Sequence, residues 1–496
     1  MCNIVLKFTT MKYWIIIIAA LVACACNPTV NETVTMDSSP TLYPDYDGVT
    51  VPKNIAPINF STIAYDSLQR IEAEVTAGDG TKYHFSGDRF IDFGIGTWRE
   101  IAQKSAGKTI EIAVSEYKND KKYIYRPFAV HISDDEIDPY LCYRLITPGY
   151  RIYSRMGIYC RNITTFEQKA VVDNHLINDN CVNCHSFPKG DADRASLHIR
   201  GDLGSTVLKD GDQITVCRAV NEKLGLNCVY PYWHPSGNYI AYSQNNTVQS
   251  FHCGDANRVE VYDLESRVVV YDMAKNMLLT CPELNSEKTF TTEPSFSPDG
   301  KTLYFASADT VDMNTRTTEV RYNICRIGFD EATGRFSHEV DTLVNAAADS
   351  MTTAFPRPSY DGKYLLYSKF KYGQFGIWHK EADLWILNLA TNEAYPLAAA
   401  NSPTAADSYH SWSQNSRWIV FESRRGDGFF TRAYIAHITP DGRADKAFLL
   451  PQQDPMQNCA LMYSYNVPEL ATKEFKFDKG SLEQKLKSGE KLQFGY

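Results

Sequence analysis

The chain has 496 residues, enough for two or three domains with separate cores, and its apolar fraction of 44% is ordinary for globular protein. A net charge of -9 and the lack of any Lys/Arg block with interleaved aromatics leave no basic surplus for phosphates, so nucleic acid is not an expected partner. The 31 Tyr, 24 Phe and 7 Trp lean the composition towards strands.

At the N-terminus Met11-Lys12 precedes an apolar run, Tyr13 through Val22, that is too short to span a bilayer. The run ends in Leu21-Val22-Ala23-Cys24, which resembles the lipobox of bacterial lipoproteins. That resemblance implies a signal peptide over residues 1–23 and lipidation of Cys24, with Cys26 as the alternative site. No acidic run follows, so the expectation is an outer-membrane anchor facing the periplasm. Residues 24–55, rich in Thr, Pro, Ser, Asp and Asn, read as a flexible tether.

Over residues 56–135 short alternating runs such as Ile71-Glu72-Ala73-Glu74-Val75 and Thr109-Ile110-Glu111-Ile112-Ala113-Val114 are separated by turn signals, as in a small β-sandwich-like domain. The acidic run Asp134-Asp135-Glu136 reads as a solvated loop. Asp138-Pro139 then predicts a helix N-cap, with a short helix from Tyr140 to Ile146. The segment from Tyr150 through Cys160 is dense in Tyr and Ile and reads either as pocket wall or as interdomain core.

Residues 136–190 carry the chain's one Cys-x-x-Cys-His, Cys181-Val182-Asn183-Cys184-His185, the attachment signature of a c-type haem. Two thiols at this spacing add to the haem vinyl groups, and the adjacent imidazole of His185 becomes the proximal iron ligand. Zinc would need a second ligand pair, and Cys160 and Cys217 stand alone. A redox pair or a plain disulfide is the other alternative. For the distal iron position the candidates are His198 first, then His175 and Met156. With export, Cys142, Cys160, Cys217, Cys228, Cys253, Cys281, Cys325 and Cys459 are candidate disulfide partners or buried free thiols, with Cys217 and Cys228 the first pair to test.

Residues 191–470 hold a repeat. Trp233-His234-Pro235-Ser236-Gly237-Asn238-Tyr239-Ile240-Ala241-Tyr242 aligns without gaps with the stretches beginning at Phe296, Pro358 and Trp412, at intervals of roughly 54 to 63 residues. Each is an anchor, a tight turn and an apolar strand, and the fourth has Asn415-Ser416 where the others carry Gly. The Phe-Ser-Pro-Asp-Gly-Lys turn resembles the repeat of TolB-like β-propellers. With less typical blades near 191–230 and 430–470 it implies a six-bladed, mainly β fold. The order of lipobox, β-rich region, haem motif, His198-Ile199-Arg200-Gly201, propeller repeats and Ser464-Tyr465-Asn466-Val467-Pro468-Glu469 is similar to a family of Bacteroidetes lipoproteins known as TolB-like or cytochrome c biosynthesis proteins. Residues 471–496 read as a charged, solvated tail.

The chain has neither Gly-x-Ser-x-Gly nor His-Glu-x-x-His. His234, His252, His379 and His410 lie in or near repeat strands, where packed or surface histidines are the expectation and a convergent metal site the alternative. The expectation is therefore a covalent haem c electron carrier, anchored to the membrane by lipid, with a redox partner or envelope protein at the propeller rim. The alternative is a TolB-like scaffold that binds protein or glycan with a structural haem or none. Lipidation is checked by palmitate labelling: label should vanish in Cys24→Ala, whereas its loss only in Cys26→Ala moves the site.

Overall fold

An anchor, a turn and an apolar strand cannot bury two sheet faces alone, so copies must stack around an axis. The computed structural model describes residues 30–62, 68–147, 155–220, 225–252 and 257–496. The expected signal peptide, Cys24, Cys26, Cys253 and residues 150–154 lie outside the described residues.

The chain is a six-bladed β-propeller preceded by a β-rich domain. In chain order, blade 1 contains Tyr140–Ile146, Met156–Asn162 and Gln168–Asp173, and its innermost strand, Ser464–Ala471, comes from the far end of the chain. Blade 2 is Cys181–Ser186, Arg194–Arg200, Ser205–Asp210 and Gln213–Arg218. Blades 3 to 6 begin with the inner strands Cys228–Trp233, Thr289–Phe296, Thr352–Pro358 and Asp407–Trp412. Successive blades bury apolar faces against each other, as with Ile240 and Val269 against Cys217, or Leu384 and Ile386 against Ile419.

The repeated turn has one hydrogen-bond design. Ser297 Oγ donates to Asp299 Oδ1 (2.6 Å), which accepts the Lys301 N–H (3.0 Å), while the Thr302 N–H donates to Ser297 Oγ (3.0 Å). Ser359 and Asp361 repeat it, and so do Ser413 and Asn415 in the divergent fourth copy. Gly237, Gly300 and Gly362 occupy the left-handed position, and there Ser416 takes φ 59° instead. In these three copies the Asx geometry, more than the glycine, defines the turn, whereas the first copy keeps Gly237 and sets His234 Nδ1 against Ser236 Oγ (2.7 Å).

Several expectations are corrected. The propeller starts at Tyr140, so residues 136–190 are not a separate haem segment between domains. Tyr140–Ile146 is a strand, because it is hydrogen-bonded on both sides, to Met156–Asn162 and to Ser464–Ala471. The supposed tether joins the N-terminal sheet from Glu32: Glu32–Thr35 pairs in parallel with Lys121–Ile124, and Val49–Pro52 with Phe128–Ser133. That domain is built on a seven-stranded sheet in which Lys108–Lys118 pairs with three partners, beside a two-stranded ribbon of Leu42–Tyr43 and Ser61–Thr62. The helix Ile95–Lys104 packs Trp98 and Ile101 into the same core as Ile71, Val75, Ile110 and Ile112.

Asp135 is not merely solvated. Its carboxylate contacts His437 Nε2 at 3.1 Å and Arg417 Nε at 3.6 Å, and its carbonyl accepts Trp418 Nε1–H, so the acidic run docks the N-terminal domain on blade 6. Nor is the end of the chain a free tail. Phe475, Leu482 and Leu486 are buried with blade 1 and 2 residues, and Leu492–Gln493 extends blade 2 as a parallel edge strand. Leu482→Ala should therefore lower unfolding stability by about 2–5 kcal/mol in denaturant titration, as for other buried leucines; a solvated tail predicts less than about 0.5 kcal/mol.

Candidate functional site

All six inner strands share one irregularity. The ladder slips at the same place in each, leaving one non-glycine residue left-handed: Cys184 (φ 50°), Tyr230 (50°), Glu293 (55°), Phe355 (56°), Tyr409 (31°) and Val467 (51°). Such bulges cost roughly 1–3 kcal/mol apiece and persist only where the surroundings fix them. Here the fixing group is often a side chain of the preceding blade. The Glu293 N–H donates to Ser243 Oγ (2.7 Å), the Phe355 N–H to Glu293 Oε2 (2.6 Å), and the Val467 N–H to Glu422 Oε1. The residue after the bulge is Pro231, Pro294, Pro356 or Pro468 in four blades, which needs no partner for an N–H. In the other two it is His185 or His410.

The bulge side chains meet on the axis. Phe355 and Tyr409 lie 4.2 Å apart between ring centroids, with Tyr230 6.1 Å from Phe355. Beside this plug is a cavity of about 70 Å3, lined among others by His185, Tyr232, Arg357, Tyr360, Trp412 and Glu469. The Arg357 guanidinium stacks 5.3 Å from the Tyr232 ring centroid. Glu469 accepts the Phe187 N–H (3.1 Å), and burial raises its pKa to about 8 despite that bond and Arg357.

The haem motif lies on this wall, with Cys184 and His185 filling the bulge and post-bulge places of blade 2. Cys181 and Cys184 are free thiols, 3% and 5% exposed. Arg144 of blade 1 donates to Cys181 Sγ (3.4 Å) and Asn183 Oδ1 (3.1 Å). Burial raises the Cys184 thiol, with nearby Arg200 and the Tyr230 N–H opposing it. His185 is 2% exposed, and neither ring nitrogen makes a well-formed hydrogen bond, the Cys142 backbone being its one near polar group; burial lowers its pKa to about 4 against that backbone contact, so it is neutral.

The expected distal ligand is not brought to it. His185 lies on the side of Phe187, whose ring is 5.7 Å away and which packs in the cluster between blades 1 and 2. His198 alternates with Leu197 and Ile199 of that cluster, sharing the opposite face with Ser196, whose Oγ meets Tyr242 of blade 3 at 2.8 Å. His175 is exposed and engaged by Asp179 (2.7 Å). Met156 comes nearer the motif, its sulfur 3.6 Å from the Arg144 nitrogen that also reaches Cys181.

The donors fit a c-type haem in kind: two free thiols and a neutral imidazole. The space does not, because about 70 Å3 holds a few waters, whereas drug-sized ligands occupy pockets of about 300 Å3 or more. A porphyrin here requires the inner strands to stand further apart. The four repeat histidines do not converge, and His252 is exposed. His234 donates to Gly300 O (3.1 Å), His379 pairs with Glu260 (3.2 Å) and His410 donates to Phe355 O (2.8 Å). Among the described residues no group of three His, Cys, Asp or Glu could hold a metal ion.

Reading from the sequence missed Arg144, Arg357, Glu293 and Glu469. A signal existed upstream of the anchors, where Tyr230-Pro231, Glu293-Pro294, Phe355-Pro356 and Val467-Pro468 mark the bulge and Cys184-His185 falls in the same place.

The sequence matches no protein family and no curated protein. Among solved structures it is similar to prolyl oligopeptidase B from Galerina marginata bound to a macrocyclization substrate (9% identity, 68% of this chain and 42% of that one, TM-score 0.37). It is also similar to the tricorn protease (11%, 79% and 43%, 0.32) and to a puromycin-hydrolyzing peptidase of Mycobacterium tuberculosis (10%, 82% and 57%, 0.27). The chain thus spans about half the length of these proteins, and at such scores the likeness carries no argument about activity.

Buried titrating groups predict a pH dependence. Burial raises Glu293 and Glu469 to about 8 and Asp263 to about 7, so the stability these contribute is full below about pH 4 and is lost as pH rises through 7 to 8. His185, His198 and His410 are lowered to about 4, 3 and 3, so they cost stability only as pH falls below about 6.5. Between pH 6.5 and 8 the carboxyls act in the same direction as His379, which, against burial, Glu260 and Glu381 raise above the ordinary imidazole value, so that its contribution too is lost as pH rises. Denaturant midpoints should fall across that interval, and less steeply in Glu293→Gln, whose amide still accepts the Phe355 N–H.

Proposed function

We propose that the chain is a TolB-like propeller that carries a covalent haem c in a form whose inner strands stand further apart at blade 2, where Cys181 and Cys184 would supply the thioether bonds and His185 the iron ligand, and that it transfers electrons. The observation that carries this reading is the buried, neutral His185 imidazole, which makes no well-formed hydrogen bond and has only the Cys142 backbone near it, beside the two free thiols of the one Cys-x-x-Cys-His in the chain. When bound, haem supplies a one-electron couple whose potential depends on axial ligands and burial. The residues around it have their own tasks. The wall excludes water, and Arg144 and Arg357 place fixed positive charge near the motif and across the cavity. Lipid at Cys24 would hold the protein to the outer membrane on its periplasmic side, with a redox partner or envelope protein docking at the rim.

Thiols 3% and 5% exposed cannot meet vinyl groups in the closed propeller. Attachment must therefore precede closure of the blades, and adding haem to the folded, haem-free protein should form no thioether bond.

A second reading is favoured by the bulge register. Cys184 and His185 occupy positions that every blade fills, and the Tyr230 N–H faces the Cys184 sulfur. On that reading the motif is architecture, and the axial Arg357 and Glu469 cavity or the rim serves a protein or glycan partner. Expression with a c-haem maturation system separates the two. The haem reading expects a pyridine haemochrome spectrum that is retained on denaturation and lost in Cys181→Ser/Cys184→Ser. An unmodified polypeptide mass from such a host rejects it. His198→Ala should leave the ferric spectrum unchanged, since that side chain lies on the other face of blade 2.

A further inference from the structure

Strand register sets one cysteine pair side by side. Cys142 and Cys160 are directly opposed on the antiparallel strands Tyr140–Ile146 and Met156–Asn162 of blade 1. Opposed residues have Cα atoms about 4.5–5.5 Å apart, within the roughly 4.4–6.8 Å that a disulfide bridges. Both side chains enter the cluster between blades 1 and 2. Cys217 and Cys228, by contrast, lie on different sheets with no shared register, and both pack in the core between blades 2 and 3.

The two sulfurs of the pair are not equivalent. Cys160 Sγ accepts the Phe475 N–H at 3.3 Å and borders a small cavity, about 30 Å3, with Tyr140, Lys169 and Glu474. Cys142 is fully enclosed. Burial, then the hydrogen bond to Cys160, raises the Cys142 thiol, and the same bond holds Cys160 below the ordinary thiol value.

We propose that Cys142 and Cys160 form a reversible disulfide in blade 1, with Cys160 as the sulfur that exchanges with an external disulfide. Cys160 is 4% exposed and is covered by Phe475 of the C-terminal segment, so exchange follows lifting of that segment: the Cys160 thiolate then attacks one sulfur of that disulfide, forming a mixed disulfide and releasing one thiolate. Cys142 then gives up its proton and attacks Cys160 Sγ, breaking the mixed bond and expelling the second thiolate. Two protein thiols are oxidised, and the external disulfide takes two electrons and two protons to become two thiols. The 17 residues between the pair become a closed loop, and the strand that receives the C-terminal strand is tied to its outer neighbour.

The test equilibrates the purified chain with oxidised glutathione, then maps it as peptides without reduction. A cross-linked Cys142–Cys160 peptide pair, 2 Da lighter than the two thiol peptides together, is expected, along with a melting temperature several degrees above that of the dithiothreitol-treated protein. Cys142→Ser should retain glutathione on residue 160, whereas Cys160→Ser should carry none on Cys142. Quantitative alkylation of both wild-type thiols after this treatment overturns the pairing without any variant. Glutathione on Cys142 in Cys160→Ser overturns the assignment of the exchanging sulfur.

Discussion

The structure depends on one strand pairing. Ser464–Ala471 zips onto Tyr140–Ile146, so that blade 1 is built from both ends of the propeller. Arg144 and Asn466, 322 positions apart, are Cα partners there, and the Arg144 guanidinium also reaches the Asn466 side chain. A sheet ring left open would expose two unpaired inner edges and an apolar blade face, which sequences otherwise protect with charge or cover. Closure removes both. It also fixes the places of the elements that hang on it: the helix Lys479–Ser488 seals the junction of blades 1 and 2, and Asp135 ties the N-terminal domain to blade 6.

Within the closed ring the inner strands cannot run straight. Each carries a bulge, and its left-handed residue is held by whatever acceptor the neighbouring blade offers: a hydroxyl at Ser243, a carboxyl at Glu293 and Glu422. Burying a carboxylate is expensive, and here burial outweighs the nearby arginines, Arg357 for Glu293 and Arg424 and Arg144 for Glu422, so these acids are pushed towards their neutral forms and the axis becomes a layer of strained backbone and protonated carboxyls around aromatic rings. Such a layer is rigid. It is a good wall for a site and a poor place to make room in one.

That rigidity frames the Cys184-His185 problem. The bulge asks Cys184 for a sulfur that faces the Tyr230 N–H, and a thioether sulfur remains a weak acceptor. The backbone demand and haem attachment are therefore compatible at this residue. They conflict over volume, because the plug of Tyr230, Phe355 and Tyr409 fills the axis beside the motif.

The propeller itself was legible in the sequence. Its turns are local chemistry: Ser297 and Asp299, Ser359 and Asp361, and Ser413 and Asn415 make the same bonds within six residues, so the pattern survives even where Ser416 replaces glycine. The motif residues, as a string, were equally plain. Hidden were the features set by partners distant in the chain. Tyr140–Ile146 looked helical because Asp138-Pro139 imitates an N-cap, and only strands on both flanks make it extended. Leu482 and Leu486 looked like part of a charged tail because two leucines among lysines say nothing of the groove that receives them. His198 seemed close to His185 along the chain, yet a strand sends alternate side chains to opposite faces, and the blade stands between them. Local sequence determined the turns, the strands that follow them and the haem signature. Closure, the axial bulges and the pairing of Cys142 with Cys160 were decided by tertiary structure, because periodicity records which face of a strand is apolar and not which strand will lie against it.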